Sequence, residues 1–201
     1  LEDLENTDPK LIKEMRDYYF NQIETYKKNK NKKITIDKMP LNLVHVGEIL
    51  RFFPNAKFIL ALRHPYDCVL SCFMQNFMLN HAMANFLNLD DTLKLYDLTM
   101  SLWKKYTNVF KIDHHLIRYE DVVSNFKKTI GDLLKFLNVK WSDNVIEFYK
   151  TAEKRGIINT PSYNQVSQPI YSNSMYRWKN YEKEFAKSNI SLENWVKEFN
   201  Y

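Results

Sequence analysis

The sequence predicts an α/β fold in which helices flank a parallel sheet. Apolar stretches at residues 57–62 and 114–119 have the length of strands and alternate with stretches of helical periodicity. The first stretch, from Lys57 to Leu62, lacks an alternation of apolar and polar residues, which is typical of a strand buried on both faces. Strands that alternate with helices indicate βαβ units and hence a parallel sheet.

The composition indicates one folded domain over residues 1–201. Hydrophobic residues make up 45% of the chain and aromatic residues 15%, whereas there are only 3 glycines and 6 prolines. A chain of this length with this apolar content can bury one sizeable core, and it lacks the polar, proline-rich composition of disordered proteins. We find no internal repeat and no linker-like segment.

The elements follow one another in a regular order. Asp8-Pro9 is a helix start signal, since Asp suits the N-cap and Pro suits the first turn, and the helix it begins is expected to reach about residue 28. A short strand from Ile34 to Asp37, a turn at Pro40 and a helix ending near Phe53 are expected next. After the strand at 57–62 we expect, in order, a helix at 65–75, a loop near 77–90, a helix at 91–109, the strand at 114–119 and a helix at 122–137.

The charge is modestly basic, with a formal net charge of +5 and a pI of about 9.0. This excess is compatible with an anionic ligand, a nucleic acid or a membrane surface. The run KKNKNKK at 27–33 has no interleaved aromatic residue, so we interpret it as a solvated loop and expect no nucleic-acid partner. No apolar run approaches the roughly 18 residues of a membrane span. Because the chain starts with Leu1, we expect a fragment or a processed form, and the sequence does not fix its compartment.

The cysteines and histidines predict neither a disulfide nor a metal site. Cys68 and Cys72 lie four residues apart in a predicted helix, where the backbone does not suit a disulfide, so we expect reduced thiols that serve packing. His114 and His115 are adjacent in a predicted strand and would point to opposite faces. The two histidines are therefore not expected to bind one metal together.

Polar residues stand at the expected carboxyl ends of the three strands: Lys38, Arg63 and Tyr119. In open α/β sheets, ligands bind beyond the carboxyl ends of the strands. After Arg63, a helix starts at Pro65, and its first amide groups and positive dipole end favour an anion. Ser71, two turns into that helix, can add a hydroxyl donor. These features predict a phosphate site.

Four stretches resemble one known family. RHPYDCVLS at 63–71 is similar to the 3′-phosphate motif of sulfotransferases that use 3′-phosphoadenosine 5′-phosphosulfate (PAPS) as sulfuryl donor. DKMPLN at 37–42, RYEDVV at 118–123 and TPSYNQVSQPIYSNSMYRWKNY at 160–181 resemble, in the same order, stretches of the tyrosylprotein-sulfotransferase-like enzymes. Bacterial members of that group are often fused to tetratricopeptide repeats and would be cytoplasmic. The resemblance implies a P-loop-NTPase-like sulfotransferase fold.

The resemblance also implies roles for individual residues. Arg63 and Ser71 are expected to bind the 3′-phosphate of PAPS, Tyr119 to contact the cofactor, and Arg177 to reach its phosphates. Lys38 is expected to stabilise the oxygen that bridges to the departing 5′-phosphate, which is the electrostatic logic of phosphoryl transfer. Ser162 is expected to help stabilise the transition state. No metal is implied.

The sequence departs from the family pattern in two larger and two smaller ways. The glycine-rich loop that cradles the 5′-phosphosulfate does not occur, since the three glycines are far apart, and the family's carboxylate base lies upstream of the stretch that begins near Asp8. We therefore expect a sulfotransferase fold without its N-terminal strand and phosphate loop, incomplete for catalysis by itself. Gln75 stands where an arginine is expected, and Tyr176 stands where a glycine commonly precedes the Arg-Trp pair.

The acceptor hydroxyl is not identified by the sequence. A peptide tyrosine, a glycan and a small phenol are all candidates, and the apolar loop from Phe77 to Leu89 is a hypothetical acceptor wall. Two other classes of function remain open. One is a non-catalytic nucleotide-binding or basic interaction module of the same fold, and the other is a P-loop kinase-like phosphotransferase.

Overall fold

The computed structural model describes residues 6–26, 34–150 and 169–201. Helix α1 spans Pro9–Tyr26, followed by a 3-10 helix at Pro40–His45 and α2 at Val46–Phe52. Strand β1 (Phe58–Leu62) leads to α3 (Pro65–Phe73), a 3-10 helix at Met83–Leu87 and α4 (Leu89–Val109). Strand β2 (His114–Arg118) leads directly to α5 (Tyr119–Ser124) and then to α6 (Phe126–Phe136). After a 3-10 turn at Asp143–Val145, the C-terminal part forms a 3-10 helix at Arg177–Tyr181, α7 (Glu182–Phe185) and α8 (Glu193–Glu198).

The sheet confirms the predicted α/β class. In the described part of the chain it consists of β1 and β2, which run parallel and are flanked by helices. The pairing begins where the Phe58 amide donates to the Asp113 carbonyl at 2.9 Å. The P-loop-like details of the expected fold stay a prediction.

The chain forms two compact units, one made of Leu1–Phe58 with Thr99–Asp113 and the other of Ile59–Leu98 with His114–Tyr201. The first unit buries Ile12, Val46, Met100 and Trp103. Its Tyr106 hydroxyl donates to the Val44 carbonyl at 3.0 Å. The Tyr106 ring also packs against Gly47, where an added Cβ would lie 3.3 Å from it. The expectation of one domain over residues 1–201 stays a prediction.

The second unit is built around the sheet ends and the C-terminal helices. Its buried apolar side chains are contributed by β1, α3, α4 and the last 17 residues: Leu60, Leu62, Val69, Leu70, Leu93, Phe185, Leu192, Trp195 and Phe199. The Trp195 indole donates to Asp97 at 2.7 Å, which ties α8 to the first half of α4. This unit contains both strand-to-helix turns, so it positions the predicted phosphate site.

The prediction of a strand from Ile34 to Asp37 is wrong. Residues 34–39 have no regular structure, and Ile34 and Ile36 are 52% and 73% exposed. A strand requires a neighbour for its backbone amides and carbonyls, and the sheet of the described residues pairs only β1 with β2. Asp37 accepts hydrogen bonds from the Tyr19 hydroxyl at 2.8 Å and the Asn42 amide at 3.4 Å.

The prediction that β1 is buried on both faces is also wrong. Leu60 and Leu62 are 7% and 5% exposed, whereas Ile59 is 37% exposed and Ala61 is exposed. The apolar sequence hides this alternation because both faces carry apolar residues. In the described residues, one face of β1 packs into the core and the other meets solvent.

The helix boundaries agree with the sequence to within a few residues, with one exception. The Asp8 carboxylate accepts the Lys10 amide at 2.8 Å and so caps α1, as the Asp8-Pro9 signal predicts. The single helix expected at 122–137 is instead two helices, α5 and α6, separated at Asn125 (φ −145°, ψ 60°). The β2 strand ends at Arg118, so Tyr119 is the first residue of α5 and not the last of the strand.

No helix among the described residues is long and apolar enough to cross a membrane. The run KKNKNKK at 27–33 lies outside the described residues.

Candidate phosphate site at the strand ends

The turn from β1 to α3 follows directly from its sequence. His64 has a non-helical conformation (φ −42°, ψ 126°), since steric contact with a following proline disfavours the helical region, and Pro65 starts the helix with a φ already suited to the first turn. Helix α3 then buries Tyr66, Val69 and Leu70. Arg63 therefore lies immediately beyond the carboxyl end of β1, and Ser71 lies exposed on α3.

Arg63 and Tyr119 are brought together, as the sequence predicts. The Arg63 guanidinium carbon lies 5.7 Å from the centroid of the Tyr119 ring, within the range of a cation–π contact. One Arg63 Nη donates to the Ser174 carbonyl, and its Nε is buried without a hydrogen-bond partner among the described residues. A guanidinium carries five N–H donors, so this arginine retains donors for an anion.

Tyr119 is held by its hydroxyl, which donates to the Tyr171 carbonyl at 2.8 Å. Burial raises the pKa of Tyr119, with a further contribution from Tyr171, so the phenol stays protonated at neutral pH. Tyr119 and Arg63 thus both donate to the main chain of one segment, residues 171–178. We refer to these residues as the 171–178 segment.

The other predicted site residues have different placements. Arg177 is exposed and begins the 3-10 helix that follows Tyr176. Lys38 is exposed in the irregular stretch 34–39 of the first unit, so the expectation that it follows a strand is wrong. Ser162 lies outside the described residues. The roles expected for these residues stay predictions.

Two buried carboxylates at the site were not identified by the sequence analysis. Asp67 is 0% exposed and accepts the amides of Tyr176 at 2.5 Å and Trp178 at 2.8 Å. Glu120 is 5% exposed and accepts the His64 amide at 3.0 Å, which joins the start of α5 to the β1–α3 turn. Both residues stand within quoted motifs, RHPYDCVLS and RYEDVV, but their partners are 56 to 111 residues away in the chain. A sequence signal at that separation would require pairwise information from relatives.

His64 lies inside an aromatic cluster. Its ring stacks on Trp178 at 5.1 Å and contacts Tyr176 and Tyr201 edge-on at 5.6 and 5.2 Å. Burial lowers the pKa of His64, although Asp67, Glu120 and Glu193 act in the opposite direction. The imidazole is therefore neutral at pH 7, and its role here is packing.

Arg118, the last residue of β2, fixes the end of the chain. It forms a two-pronged ion pair with Asp121, with N–O distances of 2.7 and 2.8 Å. It also donates to the carbonyls of Phe199 at 3.2 Å and Asn200 at 2.5 Å, and its guanidinium lies 5.2 Å from the Tyr201 ring centroid. The two strand-end arginines thus both bind main-chain carbonyls of distant segments.

Cys68 and Cys72 are free thiols, in agreement with the sequence analysis. A hydrogen bond between them raises the pKa of Cys68 and lowers that of Cys72, and the charge of Arg63 lowers both. Among the described residues there is no group of three or more His, Cys, Asp or Glu side chains that could hold a metal.

The loop expected near 77–90 contains the 3-10 helix Met83–Leu87, which contacts α3. Phe77 packs on Phe86 with ring centroids 5.3 Å apart. Three apolar side chains of the loop face solvent: Met78, Leu79 and Leu87 are 93%, 67% and 68% exposed. This apolar surface lies next to the helix that carries Ser71.

Comparison with known proteins yields three relatives. The chain is 31% identical over 180 residues to an uncharacterized protein of Aquifex aeolicus (strain VF5), a match that covers 88% of this chain and 23% of that protein. It is 27% identical over 153 residues to protein-tyrosine sulfotransferase 1 of Danio rerio and 25% identical over 154 residues to protein-tyrosine sulfotransferase 2 of Gallus gallus. Each of the latter matches covers 71% of this chain, but only 41% and 39% of the relative. The chain thus spans less than half the length of these relatives.

The profile of the sulfotransferase family matches residues 2–143. This match includes both strands, the β1–α3 turn with Arg63 and Ser71, and Tyr119 at the start of α5. Together with the relatives, it shows that the chain belongs to the sulfotransferase family.

Proposed function

We propose that this chain binds PAPS at the ends of its two strands and takes part in transferring the sulfuryl group to a hydroxyl acceptor. The observation that carries the proposal is the pairing of Arg63 with Tyr119, each placed directly after one of the two parallel strands. Ligands of open α/β sheets bind at this edge. Family membership supports the same class of reaction.

Arg63 is the proposed main ligand of the 3′-phosphate. Its guanidinium is half-buried, where a charge-assisted hydrogen bond is stronger than in water, and most of its donors are not used by Ser174. The Ser71 hydroxyl on the exposed side of α3 and the amides at the start of that helix add donors for the same anion. Arg177 is the proposed second cation for the phosphates.

Lys38 and Ser162 are the proposed catalytic residues. PAPS supplies a sulfuryl group whose bond to the 5′-phosphate breaks as the acceptor oxygen attacks in line, so negative charge grows on the bridging oxygen. The Lys38 ammonium would stabilise that charge, and the Ser162 hydroxyl would donate to the transferring group. The acceptor's proton would pass to the family's carboxylate base, which the resemblance places upstream of the stretch that begins near Asp8.

The acceptor is proposed to be a hydroxyl on an apolar or aromatic group. The support is the exposed apolar surface of Met78, Leu79 and Leu87 next to α3. Replacing Met78 and Leu79 by serine should change the preference among a tyrosine peptide, a small phenol and a glycan, while the affinity for the cofactor stays the same. An equal loss of both would overturn this role for the loop.

The deciding experiment is a calorimetric titration of adenosine 3′,5′-bisphosphate, with 5′-AMP as the ligand control. We expect the bisphosphate to bind better than 5′-AMP. Arg63→Ala should weaken bisphosphate binding by roughly 10- to 150-fold, the equivalent of about 1.5 to 3 kcal/mol for a lost charge-assisted contact. Arg63→Lys retains the charge but loses the planar guanidinium, so its affinity for the bisphosphate should lie between those of the unaltered protein and Arg63→Ala.

Lys187→Ala is the matched protein control, because it removes an exposed positive charge from the same unit. It should leave both affinities unchanged. If the folded protein binds neither nucleotide, the proposal fails. If it binds the bisphosphate with no dependence on Arg63, the site assignment fails. Binding without any sulfuryl transfer by the full-length protein would favour a non-catalytic nucleotide-binding module.

A further inference from the structure

Three side chains of the strand-end turns bind the main chain of the 171–178 segment. Tyr119 donates to the Tyr171 carbonyl, Arg63 donates to the Ser174 carbonyl, and Asp67 accepts the amides of Tyr176 and Trp178. Bonds to backbone atoms fix the path of a segment regardless of its own side chains. The path of these residues is therefore set by α3 and by the ends of β1 and β2.

Among these three side chains, Asp67 has the greatest need for hydrogen-bond partners. It lies in the first turn of α3 and is completely buried, which is costly for a carboxylate unless its oxygens are satisfied. Each oxygen accepts one amide, at 2.5 Å from Tyr176 and 2.8 Å from Trp178. The helix dipole adds to this stabilisation because it favours a negative charge in the first turn.

The two amides that Asp67 binds stand on either side of Arg177. Tyr176 has the left-handed conformation (φ 54°, ψ 26°), which an aromatic residue adopts only with backbone strain. The hydrogen bond to Asp67 and the edge-on contact with His64 at 5.6 Å hold it there. The left-handed residue turns the chain into the 3-10 helix that begins at Arg177.

We propose that Asp67 is a positioning residue for Arg177: its carboxylate fixes the main chain on both sides of Arg177 and thereby presents that exposed guanidinium to the nucleotide phosphates. The inference rests on the proposed function, in which Arg63 and Arg177 bind phosphate. Asp67 itself does not touch the anion, because it is buried and both of its oxygens are occupied by amides. The Asp67 carboxylate binds the main chain of the 171–178 segment, whereas Arg63 and Arg177 are the groups proposed to bind the phosphates.

A double-mutant cycle with adenosine 3′,5′-bisphosphate tests this role. Arg177→Ala should weaken binding roughly tenfold or more, as expected for a lost charge-assisted contact. Asp67→Asn leaves one amide without a carboxylate oxygen and should weaken binding by no more than Arg177→Ala does. In the double variant the effect should equal that of Arg177→Ala alone, because Asp67 acts through Arg177.

The control is Asp97→Asn, which changes a carboxylate that accepts the Trp195 indole in the same unit. It should leave bisphosphate affinity unchanged. If Asp67→Asn does not fold, Asp67→Glu retains the charge but displaces the oxygens, and the same cycle applies.

Additive effects of the two substitutions, or no effect of the change at Asp67, would overturn the positioning role. The proposed function would still stand in that case if the bisphosphate binds in an Arg63-dependent manner. Failure of the unaltered protein to bind the bisphosphate would overturn both.

Discussion

The two stretches to which the sequence assigns chemistry are built in opposite ways. The β1–α3 turn with Arg63 is surrounded by buried carboxylates, by stacked aromatic rings and by the main chain of the 171–178 segment. The stretch with Lys38 is irregular and exposed, and the neighbouring Asp37 accepts hydrogen bonds from Tyr19 and Asn42. The difference indicates that the described chain holds Arg63, the proposed phosphate ligand, in a fixed position, whereas Lys38, the proposed leaving-group lysine, lies on an exposed and irregular segment.

The largest expected effect separates catalysis from binding. Lys38→Ala in the full-length protein should lower the rate of sulfuryl transfer by roughly 10²- to 10³-fold, because removal of one donor from a developing charge costs about that much. Transfer from PAPS to a tyrosine peptide and to 4-nitrophenol would measure it. The affinity for adenosine 3′,5′-bisphosphate should not change. If Lys38→Ala lowers the affinity for the bisphosphate as much as it lowers the rate, Lys38 contributes to ground-state binding. The contrast between a catalytic Lys38 and a phosphate-binding Arg63 would then fail.

The next effect concerns the stability of the two stretches. Asp67→Ala should lower the free energy of unfolding by about 3 kcal/mol, since two part-buried amides lose a charged acceptor. Asp37→Ala removes contacts at an exposed site and should cost less than about 1 kcal/mol. Urea unfolding of both variants gives the comparison. Similar losses would contradict the view that only the β1–α3 turn is preorganised.

A smaller effect is expected at Tyr176, where the family commonly has glycine. Tyr176→Ala and Tyr176→Gly both remove the ring that contacts His64, but only glycine adopts φ 54° without strain. The glycine variant should therefore be more stable than the alanine variant by roughly 1 kcal/mol, measured by thermal unfolding. Equal stabilities would mean that the left-handed conformation at this position carries no cost.

The last prediction is a dependence on pH. Burial lowers the pKa of His64, so the folded state holds the neutral imidazole while the unfolded chain binds a proton near pH 6.5. The unfolded state then gains protons first on acidification, and the free energy of unfolding falls as the pH drops below about 6.5. Urea unfolding between pH 7 and pH 5 measures this slope.

His64→Phe should flatten that slope. His81→Phe is the matched control, because His81 is an exposed histidine of the same unit. It should leave the slope as it is. If His64→Phe and the unaltered protein lose stability in parallel, His64 is not the group responsible.

Local sequence patterns predicted those elements that local chemistry decides. The Asp8-Pro9 cap, the X-Pro turn at His64-Pro65 and the periodicity of α4 each act over a few residues, and all three appear where expected. The same local patterns gave wrong predictions where an element's structure depends on a residue or strand that is distant in the sequence. Residues 34–37 alternate like a strand, yet they have no strand to pair with in the described sheet.

In the candidate site, too, some features depend on adjacent residues and others on residues that are distant in the chain. The sequence by itself determined that Arg63 follows a strand and that Ser71 lies in the helix begun by Pro65, because this strand-to-helix turn is encoded by adjacent residues; it misplaced Tyr119 by one residue, as the end of the second strand. Only the tertiary structure decided that Asp67 and Glu120 are buried and which amides they hold, since those partners are up to 111 residues away. The physical reason is that the sequence around a carboxylate does not indicate which distant amide it will bind. Their pairing is fixed only when packing excludes water and requires each buried polar group to find a partner.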